Sequence, residues 1–219
     1  MEGKVGSIIW ISGPVVKARI EKELGMMEMV IVGEDKISGE VIELQGDVAT
    51  IQVYEETTGL KPGAEVVGTG FPLSVELGPG LISNIYDGVQ RPLEAILKNT
   101  GNFIERGVQI SPLSRDVKWH FTPEVSVGDE VKGGAVLGSV PEGFVLTHRV
   151  LLHPAISGTV KYIAPQGEYT IEEVICEVDT GKGVEKIKMY HRWPVRHGRP
   201  YQERLAPSVP LVTGQRIID

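Results

Sequence analysis

Glycine and proline interrupt this chain so often that long regular elements have no room to form. Of 219 residues, 27 are glycine and 14 are proline, while only 6% are aromatic. That mixture predicts many short strands joined by tight turns. Apolar content of 41% still supplies a core, and the length suits one large or two small domains.

Residues 1–70 read as a small β-barrel of about six strands. Lys4–Ser12 is β-rich and is stopped by Gly13-Pro14, and Met27–Val32 is a second short apolar run. Ile37–Leu44 and Val48–Tyr54 flank Gln45-Gly46-Asp47, a hairpin signal. Ala49, Ile51 and Val53 alternate with Thr50, Gln52 and Tyr54, the period-two sign of a sheet with one buried face. Lys61-Pro62-Gly63 suits a type II turn, and Ala64–Gly68 supplies a last strand. Closing such strands into a barrel removes their exposed edges.

Residues 71–110 form a different stretch. Leu81–Ile85 has strand composition, and Pro92–Thr100 is the clearest helix, with Leu93, Ile96 and Leu97 on one face and Gly101 as its stop. Residues 111–185 return to β-type sequence, with strands expected at Val117–Phe121, Glu130–Val140, Phe144–Leu152, Gly158–Ile163 and Tyr169–Val178. They predict a second compact β unit. Residues 186–219 are proline-rich and read as an irregular connector. The expected fold class is therefore mainly β: a six-stranded barrel, a sandwich-like second unit, one short helix and a connector.

Chemistry-bearing motifs are scarce. A phosphate loop needs G-x-x-x-x-G-K-[ST], because backbone N–H groups must wrap the phosphate. Gly3-Lys4 has too few residues before it, and Gly181-Lys182 has Cys176 where the leading glycine belongs and Gly183 where the hydroxyl belongs. Cys176 is the lone cysteine, so no intrachain disulfide forms, and its apolar context predicts a small buried hydrophobe. His148 and His153, with Cys176, are the one grouping that suggests a metal site. Neither a C-x₂-C nor an H-x₃-H pair occurs among these residues and His120, His191 and His197, so scattered surface or hydrogen-bonded histidines are the expectation. No catalytic, cofactor-binding or metal-ligating residue is therefore assigned. Lys186–Arg204 interleaves basic residues with Tyr190, Trp193 and Tyr201, a pattern that can bind single-stranded nucleic acid. Its prolines favour a connector packed on a neighbouring domain instead. Arg91 suits either a phosphate contact or an ion pair at the helix start.

The net charge is -7, and the excess is uneven: residues 1–110 hold 9 Lys+Arg against 16 Asp+Glu, the remainder 13 against 13. An acidic first half argues against a nucleic-acid surface there. No apolar run approaches a membrane span. A cytoplasmic location is expected, with any membrane role exercised through partners.

Several long stretches resemble one family. KVGSIIWISGPVVKA is similar to the start of the N-terminal barrel in the catalytic A subunit of V-type and archaeal A-type rotary ATPases. GEVIELQGDVATIQVYEETTGLKPG resembles the end of that barrel. LSVELGPGLISNIYDGVQRPLEAI resembles the family's lead-in to its nucleotide-binding domain. Residues 111–185 match the place of the bulge, an insert that distinguishes the catalytic A subunit from its non-catalytic B partner. WPVR and PLVTGQRIID resemble the approach to the phosphate loop. The resemblance implies a scaffold portion, inactive by itself, of a protein that binds ATP and Mg²⁺ further along. It also implies an alternating ring of three A and three B subunits, central and peripheral stalk partners, and coupling to proton or sodium movement. Much of the ring interface would be missing, so the isolated chain is compatible with a monomer.

The second reading is a free-standing β-rich adaptor or carrier. VSVGDEVKGGAVLGSV followed by HPAISGTVKYIAPQGEY resembles the half-repeats of biotinyl and lipoyl carriers. Their modified lysine would fall in the region of Phe144–His153, which holds Arg149 and no lysine.

Overall fold

Turns at Gly13-Pro14, Gly46 and Pro62-Gly63 separate short strands in the computed structural model, which describes residues 3–82, 84–101, 105–143, 146–201 and 203–218. The first six strands are β1 (Gly3–Ser12), β2 (Val15–Ile20), β3 (Glu28–Val32), β4 (Ile37–Gln45), β5 (Val48–Val53) and β6 (Glu65–Pro72). They close as an antiparallel barrel in the order β1-β2-β5-β4-β3-β6. Alternation fills its centre. Val16, Ala18, Val30, Val32, Ala49 and Ile51 are wholly buried, as the period-two pattern requires. The β4–β5 hairpin turns at Gly46 (φ 61°) between the paired residues Gln45 and Val48. At 61–64 the expected type II turn forms, with Gly63 at φ 88° and the Ala64 N–H donating to the Lys61 carbonyl at 3.1 Å.

The barrel is tight enough to exclude a methyl group. A Cβ at Gly6 would lie far inside contact distance of the Arg19 carbonyl oxygen on the neighbouring strand. Gly6→Ala is expected to cost about 2 kcal/mol by forcing β1 and β2 apart. Urea unfolding of the purified chain checks it, and an unchanged midpoint would contradict the packing.

Beyond β7 (Ser74–Leu77), a turn-rich segment leads to α1 (Leu93–Thr100). Two expectations change here. Leu81–Ile85 forms no strand among its described residues, because the Ile82 N–H is taken by the Glu142 carboxylate rather than by a strand partner. Pro92 is the N-cap of α1 rather than its first helical residue, with extended backbone (φ -72°, ψ 117°), and Gly101 ends the helix at φ 74°. Ile96 faces inward while Leu97 stays exposed, so the buried stripe is narrower than expected.

The second β unit contains β8 (Lys118–Pro123), β9 (Glu130–Val131), β10 (Val136–Glu142), β11 (Leu146–Leu151), β12 (Gly158–Ile163), β13 (Gly167–Thr170), β14 (Cys176–Asp179) and β15 (Val184–Ile187). Two four-stranded sheets, β11-β10-β8-β13 and β15-β14-β12-β9, face each other. Phe121, Leu137, Val140, Val160, Ile171, Ile175 and Val178 fill the space between them. Glu130–Val140 is thus two strands, one in each sheet, separated by a turn at 132–135 in which Gly134 has φ 86°. Tyr169–Val178 splits likewise into β13 and β14, with Ile171 and Ile175 buried across the break. A sandwich needs such crossings, since one continuous strand cannot serve both layers.

The chain then returns as β16 (His191–Pro194), which pairs antiparallel with β7. From Val195 the described residues carry no strand or helix.

Candidate functional site

Acidic side chains, most of them little exposed, clamp the joints between the two β units. Glu76 lies on β7 with its side chain 5% exposed. Arg115 Nη2 donates to both its oxygens at 2.7 and 2.8 Å, and Arg192 on β16 approaches at 3.4 Å. Gln90, held at φ 64°, pairs with the Glu76 backbone through both ends of its amide, donating to O at 2.8 Å and accepting from N–H at 2.7 Å. A side-chain amide here does what a third strand would do for the ribbon.

Arg115 extends the cluster. Its Nε pairs with Glu172 at 3.1 Å, and its guanidinium lies 4.5 Å from the Tyr190 ring centre. Burial alone would weaken the Arg115 charge, but hydrogen bonding and attraction to Glu76 outweigh it and raise the pKa. Glu172 also binds Lys188 and accepts from the Tyr190 hydroxyl at 3.0 Å. The Lys188 hydrogen bond is the main cause that holds its carboxyl below the ordinary carboxylate range.

Two more carboxylates do similar work. Glu55 takes Arg91 Nη1 at 3.0 Å and the Gly107 N–H at 2.8 Å, fastening both flanks of α1 to the barrel. Arg91 is also paired with Asp87 at 2.6 Å, an ion pair at the helix start, one of the two roles its position suits. Glu142, at the end of β10, accepts from the N–H groups of Gly80 and Ile82 at 2.8 and 3.0 Å. This hairpin end is where a carrier would display its modified lysine. Here it is tied to the 78–82 loop, and Arg149 stands on β11, away from the turn. Phe144 and Val145 of the expected tip lie outside the described residues.

A cavity of about 730 Å³ opens between this loop, α1 and residues 110–117. Its lining mixes Lys98 and Arg115 with Glu94, Asp116 and Glu142, so neither charge sign dominates.

The basic connector is largely consumed internally. Lys188 meets Glu172, Arg192 meets Glu76, and Arg196 meets Glu40 of the barrel at 2.6 Å. Arg199 lies 4.7 Å from the Trp193 ring centre and 3.0 Å from His191 Nε2. These cations are therefore committed to protein partners rather than arrayed along a free groove.

Among the described residues no group of three or more His, Cys, Asp or Glu side chains has a metal-holding arrangement. Cys176 is buried, and burial pushes its thiol up to about 11. His191 is pushed down to about 4, first by burial and then by the charge of Arg199, with His153 and His148 adding to it. The folded chain thus binds its proton less readily than the unfolded chain. Stability from this group is present above the ordinary histidine value and is lost as pH falls from 6.5 toward 4. His191→Gln is expected to flatten that limb of the pH–stability curve. Urea midpoints measured from pH 7 to pH 4 check it, and an unaltered slope would contradict it.

Comparison with known proteins gives the junction its context. Residues 8–70 match the model for the ATP synthase alpha/beta family, beta-barrel domain. Residues 110–196 match the model for the barrel-sandwich domain of ATP synthase alpha/beta subunits. The A subunit of the A-type ATP synthase of Pyrococcus abyssi is 57% identical over 215 residues, 98% of this chain and 21% of the relative. V-type ATP synthase alpha chain of Clostridium novyi is 53% identical over 216 residues, 99% of this chain and 36% of the relative. The corresponding A-type protein of Thermococcus kodakarensis is 55% identical over 216 residues, 98% of this chain and 37% of the relative. This chain thus spans between about a fifth and just over a third of the length of these relatives. The free-standing adaptor is not favoured by matches that run across nearly every residue. With both β units matched in order, the chain belongs to the family of A-type and V-type ATP synthase A subunits.

Proposed function

We propose that these residues form the assembly and positioning part of an ATP synthase A subunit. The parent complex couples ATP synthesis or hydrolysis to proton or sodium transport, and ATP and Mg²⁺ bind to residues of the parent protein other than these. The observation that carries this reading is identity of 53–57% sustained over 98–99% of the chain. The sequence supports the division of labour, since neither Gly-Lys pair among these residues has the spacing of a phosphate loop.

On this reading residues 1–70 are the barrel, 71–110 the lead-in to the nucleotide-binding domain, 111–185 the bulge and 186–219 the connector. The barrel stands in a collar that joins each A subunit to its B neighbours in an alternating ring of three of each, with stalk subunits as further partners. Such a protein works at the membrane through its complex; among the described residues no helix is long and apolar enough to cross a bilayer.

Deleting residues 1–70 from the whole subunit tests the proposal. Loss of the A–B ring in native mass spectrometry is the expected result. Normal rings would refute the collar. The 219-residue chain alone should show negligible ATP hydrolysis, and robust turnover by a pure sample would overturn the assignment of catalysis to other residues.

A further inference from the structure

Glu40 is a buried acid whose principal charged partner comes from the far end of the chain. It lies on β4, and its side chain is 5% exposed. Its Oε2 accepts from Arg196 Nη2 at 2.6 Å and from the Tyr54 hydroxyl at 3.2 Å, while Oε1 has no hydrogen-bond partner among the described residues. Burial first and Glu40 second raise the pKa of Tyr54, which keeps that hydroxyl a donor. Arg196 itself is 54% exposed and stands two residues beyond β16. One buried charge of the barrel therefore depends on one exposed charge of the connector.

The surrounding contacts leave the connector few other holds. Val195 N–H donates to the Leu73 carbonyl at 3.0 Å, and Trp193 Nε1 donates to the His197 carbonyl at 2.8 Å. Arg199 rests on Trp193 and His191, both on the β16 side of the junction. Among the described residues, Arg196 is the one member of 193–199 whose side chain hydrogen-bonds to the barrel, and residues 203–218 are exposed. A buried carboxylate that loses its cation keeps an uncompensated charge, so the contact resists release.

The geometry points to Arg196 as a positioning residue: seated on Glu40, it fixes the direction in which the chain leaves the junction relative to the barrel. In the parent protein, resting there on the function proposed above, this contact sets how the collar faces the part that follows the connector.

Two nitroxide labels test this in the chain itself, at Lys61→Cys on the barrel and Gly198→Cys on the connector. Both sites are exposed, a Cβ at Gly198 meets nothing within 4 Å, and the native Cys176 is buried. The parent should give a narrow distance distribution. Arg196→Ala should widen it at least about twofold, as release of a locally held segment does. Arg196→Lys should restore most of the narrowing, because the contact is made through a single nitrogen. The double variant Glu40→Gln with Arg196→Ala removes the unpaired charge and should stay wide. Equal widths in parent and Arg196→Ala overturn the proposal, as does a narrow double variant.

In assembled A–B rings, Arg196→Ala should lower kcat about tenfold with KM unchanged, with rescue by Arg196→Lys. An unchanged kcat despite a widened distance would overturn the functional half. Rings of the parent that turn over no ATP would instead sink the proposed function, leaving the distance measurement to decide the positioning role.

Discussion

Glu76→Ala is expected to destabilise the chain by about 3 kcal/mol, the cost of leaving a buried ion pair with one partner. Arg115 would lose both of its short contacts to Glu76 and keep the Tyr190 ring and Glu172, whose side chain is 38% exposed. Arg192 would lose its partner across the β7–β16 ribbon. Glu76→Gln should cost less, since an amide oxygen still accepts one hydrogen bond. Urea denaturation of both variants checks the order and the size. A loss below about 1 kcal/mol for alanine would mean that Glu76 behaves as an exposed surface pair, against its burial.

The second large effect lies in the bulge. Phe121 is fully buried between the two sheets, edge-on to Tyr169 with ring centroids 6.3 Å apart. At Gly138 on β10 a Cβ would run into the Phe121 ring and, slightly farther off, the Thr122 carbonyl oxygen. Phe121→Ala should therefore cost about 4 kcal/mol, the sum of lost transfer energy and a cavity the rigid sheets cannot close. Gly138→Ala in the Phe121 background should destabilise by crowding, whereas in the Phe121→Ala background it should be better tolerated. A double-mutant cycle measured by thermal or urea unfolding reads this coupling. Additive losses would show that the two positions do not share space.

The barrel was legible because its information is local. Val16 with Ala18, and Ala49 with Ile51 and Val53, repeat at two, and Gly46 and Gly63 stand where positive φ is needed. The sandwich was half legible: its strands announce themselves, but nothing in Glu130–Val140 says that the first part joins one sheet and the last part the other. That division is made by packing between layers, which one stretch of residues does not encode.

The clamps were less legible still. Glu142 had a signal, since it continues the inward side begun by Val140. Glu76 finds its arginines 39 and 116 residues away, and Glu40 meets Arg196 at a separation of 156. A single sequence carries no mark of such meetings. Thr50 also departs from the simple alternation: it is buried on the barrel's outer side and gives its hydroxyl to Glu43 at 3.2 Å.

Pairing of β7 with β16 has a mechanical consequence. The ribbon's open end is where Leu73 and Val195 meet, so tension applied to the chain outside it pulls both strands from the same end. An antiparallel pair loaded that way opens like a zipper, one cross-link at a time, rather than shearing all at once. Load would thus be spent on Pro194 with Ser74 and Trp193 with Val75 before it reached the sandwich. By its pairing alone the ribbon would open from Ser74 and Pro194 toward Leu77 and His191, the end that leads into the sandwich.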